Sequence, residues 1–199
     1  MDMLPIMETF PTIQGEGHYS GHAAWFIRTG GCDVGCVWCD VKESWDVNAH
    51  PLRKVTELVE EASANPARIA VITGGEPAMH SLEALTRELK EAGFRTHIET
   101  SGTSELDGTW DWITYSPKKF KAPLPEVAAR ANELKVVVSH PSDIGWAMEM
   151  AEAVGPDCIK MLQPEWSKQE KMLPEILQHI QSHPDWRVSL QTHKFMQIP

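Results

Sequence analysis

Long hydrophobic runs are missing from this sequence. The longest apolar stretches, around residues 69–72 and 136–138, are strand-sized and far short of the roughly 18 residues that a membrane span requires. Basic charge is also scarce: 18 Lys and Arg stand against 28 Asp and Glu, a formal net charge of −10. Such a surface repels a polyphosphate backbone, so neither nucleic acid nor a membrane is an expected partner. Residues 1–10 contain no basic n-region and no apolar h-region, which argues against export and for a cytoplasmic location. Cysteine is sparse, and the four present form no disulfide framework, because Cys32, Cys36 and Cys39 crowd together while Cys158 lies far away. Repeats, low-complexity segments and linkers are absent too. With 42% hydrophobic and 23% charged residues the chain is close to the globular average, which excludes a disordered or fibrous protein. A chain of 199 residues suits one domain spanning 1–199, burying roughly 70% of its unfolded surface.

What is present is an alternation of strands and helices. Short apolar runs rich in β-branched residues at 23–28, 68–73, 95–99, 112–115, 134–139, 157–162 and 187–191 predict strands. Helical patterns cover 56–64, 82–92, 143–154 and 169–182. In the second of these Leu82, Leu85 and Leu89 share a face, with Ser81 placed to cap the start and Gly93 to end it. Pro174 predicts a break in the last. The pattern implies an α/β fold with mostly parallel strands and covering helices. In such sheets the loops at the carboxyl ends of the strands carry ligands. Here those loops hold Gly30, Gly31 and the cysteines, then Thr73-Gly74-Gly75-Glu76-Pro77, then Glu99-Thr100-Ser101-Gly102, then Ser116-Pro117-Lys118.

The spacing C-x3-C-x2-C puts three soft thiolate ligands on one short loop, suited to an iron–sulfur cluster or zinc and unsuited to magnesium or calcium. Zinc in a structural site needs a fourth ligand, a His or the distant Cys158. A cubane cluster held by three thiolates leaves one iron open to a ligand. The plainest alternative is three buried structural cysteines.

Cys32-Asp33-Val34-Gly35-Cys36-Val37-Trp38-Cys39 resembles the C-x3-C-x-aromatic-C signature of radical S-adenosylmethionine enzymes, with Trp38 in the aromatic place. Thr73-Gly74-Gly75-Glu76-Pro77 resembles that family's GGEP element, in the right order along the chain. The resemblance implies a partial, incomplete TIM-like barrel and a [4Fe-4S] cluster on Cys32, Cys36 and Cys39. It also implies S-adenosylmethionine chelating the open iron, the aromatic ring of Trp38 beside its adenine, and Glu76 holding its ammonium. One electron from the cluster then cleaves the sulfonium to give a 5'-deoxyadenosyl radical, so the cofactor carries the hard chemistry while the protein positions the substrate.

Pro11-Thr12-Ile13-Gln14-Gly15-Glu16-Gly17, Ile98-Glu99-Thr100-Ser101-Gly102-Thr103, Tyr115-Ser116-Pro117-Lys118 and the closing Gln191-Thr192-His193-Lys194-Phe195-Met196-Gln197-Ile198-Pro199 narrow the resemblance. Together they are similar to the 7-carboxy-7-deazaguanine synthase family of queuosine and deazapurine biosynthesis, over almost the whole chain. This resemblance implies a homodimer acting on 6-carboxy-5,6,7,8-tetrahydropterin, with ammonia released and electrons supplied by a flavodoxin or ferredoxin. Carried over, Gln14, Gly15, Glu16, Arg28, Thr73, Glu99, His193 and Pro199 would contact the pterin. Arg28 is suited to its carboxylate and Glu99 to its guanidine-like edge. Trp38, Asp40, Gly75, Glu76, Ser116, Pro117, Lys118 and Gln163 would meet S-adenosylmethionine, Gln163 resting on Leu162-Gln163-Pro164 alone.

One position departs from the pattern. The best-known members carry a Thr that ligates Mg2+ after the last cysteine and its Asp, whereas this chain has Val41, which offers no oxygen to a hard cation. Mg2+ is then either held by substrate, water and Asp40, or replaced electrostatically by Lys42. Read structurally instead, Arg28 is an ion-pair partner, Glu99 a helix cap, His193 a core or interface histidine, Cys158 a buried thiol, and the tryptophans other than Trp38 packing surface. Two rival functions remain open at this point. A glycyl-radical activase would need an open cleft for a protein substrate, and a non-enzymatic zinc-binding module would be colourless and cleave no S-adenosylmethionine.

Overall fold

The chain, described over residues 2–199 as a computed structural model, forms β1 (Met3–Ile13), β2 (Ala23–Thr29), β3 (Leu52–Lys54), β4 (Ile69–Gly74), β5 (Arg95–Thr100), β6 (Trp112–Tyr115), β7 (Glu133–Val138), β8 (Ile159–Pro164) and β9 (Trp186–Val188). Its helices are α1 (Val55–Ser63), α2 (Glu83–Glu91), α3 (Pro125–Ala128), α4 (Ser142–Ala151), α5 (Gln169–Ser182) and α6 (Thr192–Met196). The strands make one nine-stranded sheet in the order β3-β1-β2-β4-β5-β6-β7-β8-β9. From β2 through β9 neighbouring strands are parallel, while β1 pairs antiparallel with both β2 and β3. β3 and β9 lie at opposite edges, so the sheet is open and does not close into a barrel. No helix among the described residues is long and apolar enough to cross a membrane.

Side-chain alternation explains how this sheet builds a site. Ile27, Ile72, Ile98 and Ile113 stand in register on consecutive strands and pack against Leu58, Leu85 and Leu89 of the covering helices. Each fully buried side chain of this size contributes about 1.5–3 kcal/mol. A second core joins Leu134, Val136 and Leu162 to Met172 and Ile176 of α5. Because the strand period is two, the residue after each core position faces the other way. That puts Arg28, Thr73, Glu99 and Lys135 on the concave face, with Arg28 beside Thr73 in register. The segment between β1 and β2 floors this face. Tyr19 packs edge-on to His97 at 4.5 Å and Trp112 at 4.9 Å, and Arg95 donates to its hydroxyl at 2.6 Å.

β1 and β3 lie outside the strands that the apolar runs predict. Pro5 and Pro11 disguise β1, yet Pro11 falls where β1 has β2 on one side only, an edge that tolerates a missing N–H. The break expected at Pro174 does not occur: α5 runs through it, with Met172 and Ile176 buried on either side and clamped to the sheet. Gly93 ends α2 as expected. At φ +83° it closes a Schellman turn in which Phe94 N–H bonds the Leu89 carbonyl (2.9 Å) and Gly93 N–H that of Lys90 (3.0 Å). Ser81, by contrast, does not cap α2. The N-cap position is Leu82, and the entry to α2 is tied instead to a distant loop through Asp107, which accepts from Leu82 N–H at 2.8 Å and from the Ser81 hydroxyl at 2.5 Å. Asp107→Ala, which removes both bonds, is expected to lower stability in urea unfolding by about 1 kcal/mol, and Ser81→Ala, which removes one, by clearly less; equal losses would show that the bond to Leu82 N–H contributes nothing.

Candidate active site

The cysteine loop leaves the end of β2 and is pinned from two sides. Gly31 N–H bonds Ser44 O at 2.6 Å and Cys32 N–H bonds Trp45 O at 3.2 Å, while Glu76 N–H bonds Gly31 O at 2.9 Å. Gly75 is required here by close approach, since a Cβ on it would lie 2.2 Å from the Gly31 carbonyl oxygen and 2.7 Å from Cys32 Cβ. Gly74 takes φ +146° with the Thr29 carbonyl oxygen 2.3 Å from where its Cβ would be. The two sequence motifs are thus one packed unit. Its anchor is Glu76, 1% exposed, whose carboxylate accepts from Thr100 Oγ1 (2.5 Å), Ser101 N–H (2.7 Å), Ala78 N–H (3.1 Å) and the Ser101 hydroxyl.

Cys32, Cys36 and Cys39, all free thiols, line one cleft of about 210 Å³ at the carboxyl ends of the strands. Burial pushes the Cys36 thiol up to about 11 against the pull of Lys118, with Cys32 and Cys39 adding to the rise. Three thiols facing one cavity are a donor set that a polycation would stabilise. Among the described residues no three His, Cys, Asp or Glu side chains converge as one ion requires. A cluster has no such need, because each thiolate meets a different iron. The set fits an iron–sulfur cluster.

Of the residues expected to meet S-adenosylmethionine, Trp38, Asp40, Gly75, Glu76, Ser116, Lys118 and Gln163 line this cleft. Pro117 does not; it borders an adjoining hollow of about 150 Å³ with Trp38 and Phe120. Lys118 donates to Ser116 Oγ at 2.7 Å, and Gln163 accepts from Ser189 Oγ at 2.7 Å.

A second cavity, of about 220 Å³, gathers every residue of the expected substrate set. Gln14, Gly15 and Glu16 come from the end of β1, Arg28 and Thr73 from β2 and β4, Glu99 from β5, and His193 and Pro199 from the C-terminal segment. Arg28 is also an ion-pair partner, its Nε donating to Glu8 at 2.7 Å. Gly15 carries no side chain because His193 Nδ1 stands 2.2 Å from its would-be Cβ, and Thr192 N–H fastens to Gly15 O at 2.8 Å. Burial holds the His193 imidazole below its ordinary pKa. The two cavities share Glu16, Cys39, Asp40, Thr73, Gly74 and Glu99 as a common wall. Lys42 borders neither, its ammonium lying 5.9 Å over the Trp45 ring.

Residues 26–116 match the radical SAM superfamily. The 7-carboxy-7-deazaguanine synthase of Flavobacterium psychrophilum is 50% identical over 198 residues, covering 100% of this chain and 94% of that protein. The protein of the same name from a Synechocystis species is 48% identical, covering 98% and 93%. The crystal structure of QueE from Escherichia coli superposes with a TM-score of 0.84 at 34% identity, covering 96% of this chain and 95% of that one. This chain belongs to the 7-carboxy-7-deazaguanine synthase family.

It is accordingly a radical S-adenosylmethionine enzyme, and the family implies the cluster and S-adenosylmethionine. The residue of this family member that the motifs do not reveal is Lys135. Its side chain is 3% exposed, and its ammonium bonds Glu16 Oε2 at 2.5 Å and Glu99 Oε2 at 2.7 Å. Gln14 donates to the other Glu99 oxygen at 3.1 Å, and Gln191 to the other Glu16 oxygen at 2.8 Å. Burial alone would discharge Lys135, but Glu16, Glu99 and Glu133 outweigh it and raise its pKa above the usual lysine range. Burial also opposes ionisation of Glu16, yet Lys135, Gln191 and Gln163 bring it down to about 2. The signal for Lys135 in the sequence is its place inside the apolar run of β7.

Removing the ammonium leaves two carboxylates buried without a counter-charge. Lys135→Met is expected to destabilise the fold by about 3–5 kcal/mol. Glu16 has its folded pKa depressed from 4.5 to about 2, so its contribution is complete above 4.5 and lost as pH falls toward 2. Urea unfolding across that window should therefore show stability falling with acid in the wild type and a flatter or reversed slope in Lys135→Met.

Proposed function

We propose that this enzyme converts 6-carboxy-5,6,7,8-tetrahydropterin to 7-carboxy-7-deazaguanine with release of ammonia, a carbon–nitrogen lyase reaction. Substrate and products balance: one ring nitrogen leaves as ammonia as the ring contracts, with no net oxidation. The observation that carries the reading is the common wall. A cavity framed by Arg28, Glu16 and Glu99 opens against the cleft that holds the three cysteines. When bound, the cluster and S-adenosylmethionine supply one-electron chemistry that yields a carbon radical, with an external donor of the flavodoxin or ferredoxin class providing the electron.

The chain's own residues supply recognition and position. Glu99, oriented by its bond from Lys135, suits the N–H-rich guanidine edge of a pterin, and the donors of Arg28 left free by Glu8 suit its carboxylate. Asp40, Thr73 and Gly74 stand between the two ligands and fix how closely they meet. His193 and Pro199 wall the second cavity, which favours a small molecule over the protein substrate of an activase.

The test is anaerobic turnover of the reconstituted, reduced protein with S-adenosylmethionine and 6-carboxytetrahydropterin, followed by mass spectrometry. 7-Carboxy-7-deazaguanine is expected from the wild type and none from Cys36→Ala. Formation of 5'-deoxyadenosine without that product would refute the substrate; a colourless protein with stoichiometric zinc would refute the enzyme.

A further inference from the structure

Mg2+, which the family resemblance places beside Asp40, does not fit the residues found there. Val41 turns hydrocarbon to the second cavity. Glu16 and Glu99, the other carboxylates of the common wall, already bond the Lys135 ammonium, whose charge opposes a second cation beside them. Asp40 itself is engaged, its Oδ2 accepting from Lys194 Nζ at 2.9 Å.

Lys194 is placed with care by the fold. α6 is fastened to the β1–β2 connection through Thr192, whose N–H and hydroxyl both bond Gly15 O, at 2.8 and 2.9 Å. The Lys194 ammonium lies 5.4 Å over the Trp166 ring and its side chain is 22% exposed, bordering the cysteine cleft. It thus meets Asp40, one of the residues that both cavities share. An ammonium carries three donors, and Asp40 takes one.

We propose that Lys194 supplies the cation at the junction of the two cavities, its ammonium bonding the ligand carboxylate that reaches Asp40, so that turnover needs no divalent metal. This rests on the proposed function, in which both ligands carry carboxylates and Asp40 adds a third negative charge. A point charge on a flexible stem can serve a carboxylate that Lys42, turned to Trp45, does not reach.

The experiment uses the reconstituted holoenzyme in metal-depleted buffer, with and without millimolar Mg2+. Adding Mg2+ is expected to change the wild-type rate by less than about twofold, whereas Lys194→Gln should raise KM for S-adenosylmethionine, whose cleft Lys194 borders, about tenfold at unchanged cluster absorbance. Calorimetric titration of Mg2+ into the wild type with its cluster left oxidised, so that no turnover occurs, and with S-adenosylmethionine and the pterin both present is expected to show no saturable binding. The double variant Val41→Thr/Lys194→Gln, which frees Asp40 and adds a hydroxyl, should become Mg2+-stimulated. Strict Mg2+ dependence of the wild type, saturable Mg2+ binding, or an unchanged KM in Lys194→Gln would each overturn the proposal. Failure to form product under every condition would instead refute the substrate reading, and the calorimetric result would still decide whether Lys194 has displaced the metal.

Discussion

The ammonium of Lys135 joins three parts of the chain that no local interaction connects: the end of β1 through Glu16, β5 through Glu99, and β7 itself. Burying three charges is costly, and their mutual attraction repays that cost only where geometry and hydrogen bonds are complete. Here they are nearly so, with Gln14 and Gln191 taking the remaining carboxylate oxygens. The result is a concave face whose carboxylates are oriented before any ligand arrives. Preorganised charge of this kind aids catalysis because it needs no rearrangement when the substrate binds.

A second constraint is steric. The Gly74-Gly75 turn and the cysteine loop approach to distances that no side chain permits, and buried Glu76 locks that contact to the end of β5. The cysteines are therefore positioned by backbone packing rather than by a flexible loop of their own. Gly15 repeats the device on the other side, where its missing Cβ admits His193 and with it the C-terminal helix. Both cavities owe their shape to glycines at which two segments meet.

Much of this was legible in the order of residues. Strand-length apolar runs separated by amphipathic helices implied a parallel sheet, and the polar, Gly-rich segments fell at strand ends where such sheets place their ligands. The helix stop at Gly93 was readable because a Schellman turn is local. Its start was not, because Leu82 takes the N-cap position and Asp107, distant in sequence, holds it there, while the Ser81 hydroxyl donates to Asp107 instead of capping the helix. β1 was hidden by two prolines whose cost depends on which edge of the strand is free.

The sequence by itself determined the chemistry available: three thiols at a fixed spacing, a glycine pair, and a set of carboxylates and cations at strand ends. Those follow from covalent order and side-chain period, which are local properties. Only the tertiary structure decided which charges meet. Lys135 is paired with Glu16, 119 positions away, and Lys194 with Asp40, 154 positions away, whereas nearby Lys42 turns to Trp45. Long-range ion pairing is set by sheet curvature and by where the last helix docks, and neither is encoded in the neighbours of the residues concerned.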